Sequence, residues 1–123
     1  MAEFDVVTNE IRRFERDVEV GTEHTRKQVR DVTRKATLET EAHGKAGAPV
    51  LTGFLRSTIT SDFRGSNRDV AQGETGPEAS YGWWVEGGTE RQAPQPYMGP
   101  AADVVEPTFY AGLEAIDPMG TGE

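Results

Sequence analysis

The sequence predicts one α+β domain, on three observations. Apolar residues in the first third recur at helical spacing. The middle is cut by Gly and Pro into short strand-like runs. The last quarter returns to a stretch compatible with a helix. At 123 residues the chain is near the commonest domain size. Its hydrophobic content is 35% and its mean hydropathy -0.62, so the core is thin for the length. Two tryptophans and five phenylalanines, together with the apolar periodicity, argue for a folded chain over a disordered one.

Phe4, Val7, Ile11, Phe14 and Val18 are spaced by three and four, and the stripe continues more weakly through Thr25, Val29, Val32 and Ala36. This spacing predicts a long N-terminal helix over residues 1–45, with Arg, Glu, Asp and Lys on its solvated face. Gly21 interrupts it and predicts a kink or break, at a cost of about 1 kcal/mol relative to alanine. Gly44, Gly47 and Pro49 end it. A helix near 40 residues would reach roughly 60 Å. Either part of its stripe meets another subunit, or it folds back as a kinked helical hairpin within the chain.

Strands and loops are expected over residues 46–99. Leu55, Ser57, Ile59, Ser61 and Phe63 alternate with Arg56, Thr58, Thr60 and Asp62, as on the two faces of a strand. Gly65-Ser66-Asn67 is a turn signal, residues 70–76 a weak second strand, and Gly76-Pro77 a second turn. Residues 81–86 form an aromatic segment, strand or short helix, and residues 87–96 an irregular loop. A C-terminal helix is expected over residues 100–116. Pro100 is acceptable in its first turn, and Pro107 should kink or split it. Residues 117–123 read as a tail.

Composition excludes several function classes. Thirteen Lys and Arg against twenty-one Asp and Glu give a net charge of -8. Residues 1–45 carry nine basic and ten acidic side chains, and the remainder four and eleven. No basic patch is evident to neutralise phosphates, so specific nucleic-acid binding is not expected. With no cysteine, disulfides, thiolate catalysis and zinc-cysteine sites are excluded. No apolar run approaches the roughly 20 residues that span a bilayer, and no signal-peptide core is evident. The expectation is therefore a product assembled in the cytoplasm, without membrane contact.

The only histidines, His24 and His43, are expected on the exposed surface of the helical region. Glu39 lies four residues before His43 and can share its face, yet no further metal ligands converge there. Glycines 73, 76, 82, 87 and 88 lack the spacing of a phosphate-binding loop. No Ser occupies a Gly-x-Ser-x-Gly elbow. Catalytic, cofactor and metal residues are accordingly expected to be none. Trp83 and Trp84 are consecutive, so in an extended segment one enters the core while the other faces outward as an interface anchor; local twist could instead bury both. Glu86 can pair with Arg56 or stay solvated.

Three segments carry a resemblance: residues 48–56 (Ala-Pro-Val-Leu-Thr-Gly-Phe-Leu-Arg), 81–89 (Tyr-Gly-Trp-Trp-Val-Glu-Gly-Gly-Thr) and 95–101 (Gln-Pro-Tyr-Met-Gly-Pro-Ala). Each is weak alone. In this order, between two helices, they resemble the neck or tail-completion (head-tail joining) proteins of long-tailed bacteriophages. The Gly82-Trp83-Trp84 run and the paired glycines before Thr89 depart from the usual pattern. The resemblance implies an α+β fold in which a long N-terminal helix packs on a small antiparallel sheet beside a C-terminal helix. It also implies a virion protein that is no enzyme, built into a six-fold ring with adjacent connector, stopper or tail terminator proteins as partners. DNA would pass through the lumen without specific binding. The interface candidates are Thr52, Gly53, Leu55, Arg56, Tyr81, Trp83, Trp84, Glu86, Gly88, Thr89, Arg91, Pro96 and Tyr97. A tail terminator or other connector ring, or a soluble dimeric binding module or regulator, is the alternative.

Overall fold

Residues 2–7, 11–18, 22–48, 57–67, 69–77 and 97–116 are described by the structure, a computed structural model. The chain is α+β, with a four-stranded antiparallel sheet, a long helix in the N-terminal half and a C-terminal helix. In chain order the elements are β1 (Ala2–Val6), β2 (Arg12–Asp17), α1 (Glu23–Gly47), β3 (Ile59–Asp62), β4 (Val70–Pro77) and α2 (Met98–Glu114). The strands run in the order β1-β2-β4-β3.

Residues 2–6 and 12–17 correct the expectation of a helix over residues 1–45. They form two strands paired antiparallel, with Phe4 opposite Phe14, and the ladder is extended by Val7 N–H donating to the Ile11 carbonyl at 3.0 Å. Paired strands bring Phe4 and Phe14 together across the sheet, centroids 5.1 Å apart, which the spacing of ten residues along one helix would not allow. The helix begins only at Glu23: α1 has 25 residues and is about 38 Å long at 1.5 Å per residue. A helix of this length does not require a second subunit to cover it, and Phe14 and Val18 are buried within the chain itself.

Helix α1 starts at a cap. The Thr22 hydroxyl accepts from the Thr25 N–H at 3.1 Å, satisfying one of the helix's first free donors. Its buried face is made of Thr25, Val29, Thr33, Ala36, Thr37, Thr40 and Gly44. Threonine is costly to bury unless its hydroxyl is satisfied. Here Thr33, Thr37 and Thr40 donate to the carbonyls of Val29, Thr33 and Ala36 at 2.8, 2.8 and 2.9 Å. The face is thus narrow and self-contained, and the sheet can approach it closely. The helix ends at Gly47, as the glycines and Pro49 predict.

Both helices pack on the same sheet face. Phe14, fully buried, meets Phe109 of α2 edge-on at 5.0 Å, and Ala36 and Val105 complete that part of the core. The helices close on each other at two small residues: a Cβ on Gly44 would collide with the Met98 sulfur, and one on Gly112 would stand 3.0 Å from Val32 Cγ1. Helix α2 begins two residues before its expected start and has Pro100 in its first turn. Pro107 does not split it, since buried Val105 and Phe109 lie on either side within one helix; Pro107 itself is exposed.

The middle of the chain follows the expectation in part. The turn at residues 63–67 is present: Ser66 N–H donates to the Phe63 carbonyl at 3.0 Å, and Asn67 Oδ1 accepts from the N–H groups of Asp69 and Val70. The strand before it is shorter than predicted, because Ser57 and Thr58 are helical and pairing starts at Ile59. Gly76 and Pro77 are not a turn. They end β4, where Pro77 is paired with Ile59.

Candidate functional site

Twelve of the thirteen interface candidates, Thr52, Gly53, Leu55, Arg56, Tyr81, Trp83, Trp84, Glu86, Gly88, Thr89, Arg91 and Pro96, lie outside the described residues. So do the expected aromatic segment, the irregular loop and the C-terminal tail. What the structure places is their anchorage. Residues 49–56 run from Ala48 to Ser57, and residues 78–96 run from Pro77 to Tyr97.

Those anchors meet at one end of the fold. Ala48, Ile59, Tyr97 and Met98 form a buried cluster, and Ile59 is paired with Pro77 across the sheet. Gly47 keeps this end tight, since a Cβ there would stand 3.8 Å from Tyr97 Cβ. The segments carrying the three sequence motifs are therefore tethered around one small core. Tyr97 is a correction. At 1% exposure it is part of that core and offers no surface of its own.

Beside this cluster the Glu41 carboxylate accepts from the Ser61 hydroxyl at 2.6 Å and faces Lys45 Nζ at 3.0 Å. Burial pushes the carboxyl pKa up, but the hydrogen bonds from Ser61 and Lys45 outweigh it and hold the pKa below the ordinary value. The pair pins α1 to β3 just where the chain leaves for residues 49–56. It is a positioning contact with no free nucleophile or base.

The sheet face turned away from the helices is strongly acidic. Register places Glu3 opposite Glu15, and sets Asp5, Arg13, Glu74 and Asp62 in a row across the four strands. Arg13 bonds Glu74 at 2.6 Å, and Gln72 bonds Glu15 at 2.6 Å. Glu3 is less well placed. The charge of Asp5 and a hydrogen bond with Glu15 push its pKa up, as expected for like charges directly opposed on a sheet.

Helix α1 carries the complementary sign. Lys27, Arg34 and Lys35 are exposed on its outer side, where Leu38, 40% exposed, and Ala42 form the apolar floor of an open concavity of about 410 Å³. Arg34 also stacks over the Phe63 ring at 4.6 Å, which fixes its stem. Sequence reasoning assigned this side only to solvent. The signal available was Leu38, an apolar residue off the buried stripe among cations.

His24 and His43 are both exposed on α1, as expected. Among the described residues no group of three or more His, Cys, Asp or Glu side chains is arranged to hold a metal ion. No helix among them is long and apolar enough to cross a membrane. Comparison with protein-family models, curated proteins and solved structures finds no match.

Proposed function

We propose that this chain is a structural virion protein forming a ring at the head-tail junction, the neck or tail-completion position, of a long-tailed bacteriophage. The observation that carries the reading is the ordered set of three motifs, whose segments are anchored together around Ala48, Ile59, Tyr97 and Met98. A ring part needs surfaces that complement its neighbours more than it needs a cleft. Segments whose ends are anchored at one small core suit that task, because one rigid core can present several contacts to an adjacent connector, stopper or terminator protein.

The acidic outer sheet face supports the same reading. Six copies at -8 each would carry about -48 in all, and carboxylates lining a lumen would repel passing DNA. No step of catalysis is assigned.

Electron microscopy of virions tests the position directly. Density for this chain as a closed ring between head and tail is the expected result, and a single copy per particle or absence from the particle would overturn it. Position above or below the neighbouring rings separates tail completion from a tail terminator. Deleting Glu90 to Ala93 should leave the fold intact and yield full heads and separate tails that do not join. Normal infectious particles from that deletion would count against the loop's role.

A further inference from the structure

We infer that the outer side of α1 receives β1 of a second copy of this chain, Leu38 meeting Val7 while Lys27, Arg34 and Lys35 face Glu3 and Asp5. The inference rests on the ring reading for its setting and names the surfaces that would join one subunit to the next. Four large apolar side chains among the described residues are notably exposed: Val6 at 61%, Val7 at 39%, Leu38 at 40% and Val104 at 59%. Their charged surroundings sort them. Val7 continues the outward face of Glu3 and Asp5, whereas Val6 alternates to the side of Phe4. Leu38 sits in the concavity lined by Asp31, Arg34, Lys35, Glu39 and Ala42, and Lys27, one turn earlier, is paired with Asp31 at 3.0 Å in an exposed bridge.

Val104 is the competing site, and its charge excludes it. Its neighbours on α2 are Asp103 and Glu106, and no basic residue occurs between 97 and 116. An acidic strand placed there would meet like charge, which costs an interface several kcal/mol. On α1 the same strand would bring carboxylates to cations around an apolar centre, the arrangement typical of interfaces with an apolar core and a polar rim. It would also relieve Glu3, whose opposition to Glu15 and proximity to Asp5 are unfavourable in the single subunit.

The contact is made by side chains and not by adding a strand. β1 is an edge strand, which normally invites pairing. Here the Tyr110 hydroxyl is hydrogen-bonded to the Phe4 backbone, so α2 interrupts the edge at its centre. The joined patches differ from each other, so the contact is head-to-tail and propagates either to a closed ring or to a filament.

Sedimentation of the full chain at low and high salt, with charge variants, tests the contact. Wild-type protein should self-associate in a salt-sensitive way. Leu38→Asp, Lys35→Glu and Glu3→Lys should each weaken association by about tenfold or more, whereas Val104→Asp should leave it unchanged. Circular dichroism confirms that each variant is folded. The Lys35→Glu and Glu3→Lys proteins, each weak alone, should associate when mixed, because each mixed contact restores opposite charges. Failure of the mixture to associate, a Val104→Asp effect equal to that of Leu38→Asp, or a wild-type chain that stays monomeric at every concentration would overturn the contact. The ring reading stands or falls separately. Lys35→Glu subunits forming normal rings in virions would discard these surfaces and keep the ring, whereas absence from virions would discard the ring and leave the solution contact intact.

Discussion

Gly73 on β4 and Thr37 on α1 face each other so closely that a Cβ on residue 73 would fall under 3.0 Å from Thr37 Oγ1. The Thr37 side chain rests directly on the sheet at this point, where the strand offers none of its own. Gly73 follows Phe4 and Phe14 in one row across β1, β2 and β4, so its missing side chain makes room for the helix where the two aromatics fill space beside it.

Gly73→Ala should therefore destabilise the fold by about 1–3 kcal/mol, the usual scale for overpacking. In a Thr37→Ala background the same change should cost less, since the hydroxyl in the way is gone. Denaturant unfolding of the two single variants and the double variant measures this coupling. Additive effects would show that the strain lies elsewhere, for instance against Phe63.

Phe14 joins the hairpin to α2. It is fully buried and touches both Phe4 and Phe109. Phe14→Ala should cost about 3–5 kcal/mol, enough to unfold a chain with a thin core. Thermal unfolding should show lost cooperativity, or a chain unfolded at room temperature.

Thr22→Ala should cost about 1 kcal/mol through loss of the α1 cap. Thr22→Asp should restore most of it, because a carboxylate at a helix N-terminus both caps and complements the dipole. Equal stability of the alanine variant and wild type, read from the unfolding midpoint, would remove the cap from the account.

Two carboxylates predict opposite pH dependences. Glu41 has its pKa lowered on folding, so its contribution is present above the unfolded carboxylate pKa and is lost as pH falls through the folded value. Ser61→Ala should reduce the loss of stability on acidification. Glu3 has its pKa raised, so its contribution is present below the unfolded pKa and is lost as pH rises through the folded value. Glu3→Gln should stabilise the protein at neutral pH and have no benefit in acid. Unfolding curves across the acid range separate the two. A Glu3→Gln benefit independent of pH would rule out the charge explanation.

Where the sequence was readable, one local signal decided the structure. Pro100 at a helix start, Gly65-Ser66-Asn67 at a turn and Gly47 at a helix end need no distant partner to act. The hairpin was misread because Phe4, Val7, Ile11, Phe14 and Val18 fall at helical intervals by coincidence. Alternation, the strand signal, was hidden because Arg12, not an apolar residue, lies buried next to Phe14 in the same strand face. Thr22, just after the Gly21 read as an interruption within a helix, is the better clue: its hydroxyl caps a helix that begins only at Glu23. At the candidate site, the motifs named the segments but not what holds them. Tyr97 looked like a contact residue because it is aromatic and follows Pro96, yet its surroundings are Ala48, Ile59 and Met98. Nor could a sequence show that residues as distant as Val7 and Leu38 are both left exposed, since that depends on which faces the fold leaves open.

The threonine-lined face of α1 has a thermal consequence. Burying hydroxyl-bearing side chains in place of leucines removes less hydrocarbon from water, and heat-capacity change on unfolding grows with hydrocarbon exposed and shrinks with polar exposure. This domain should therefore unfold with a small heat-capacity increment for its length. Its stability would then vary gently with temperature, giving a low, broad curve that tolerates cooling better than a richer core would.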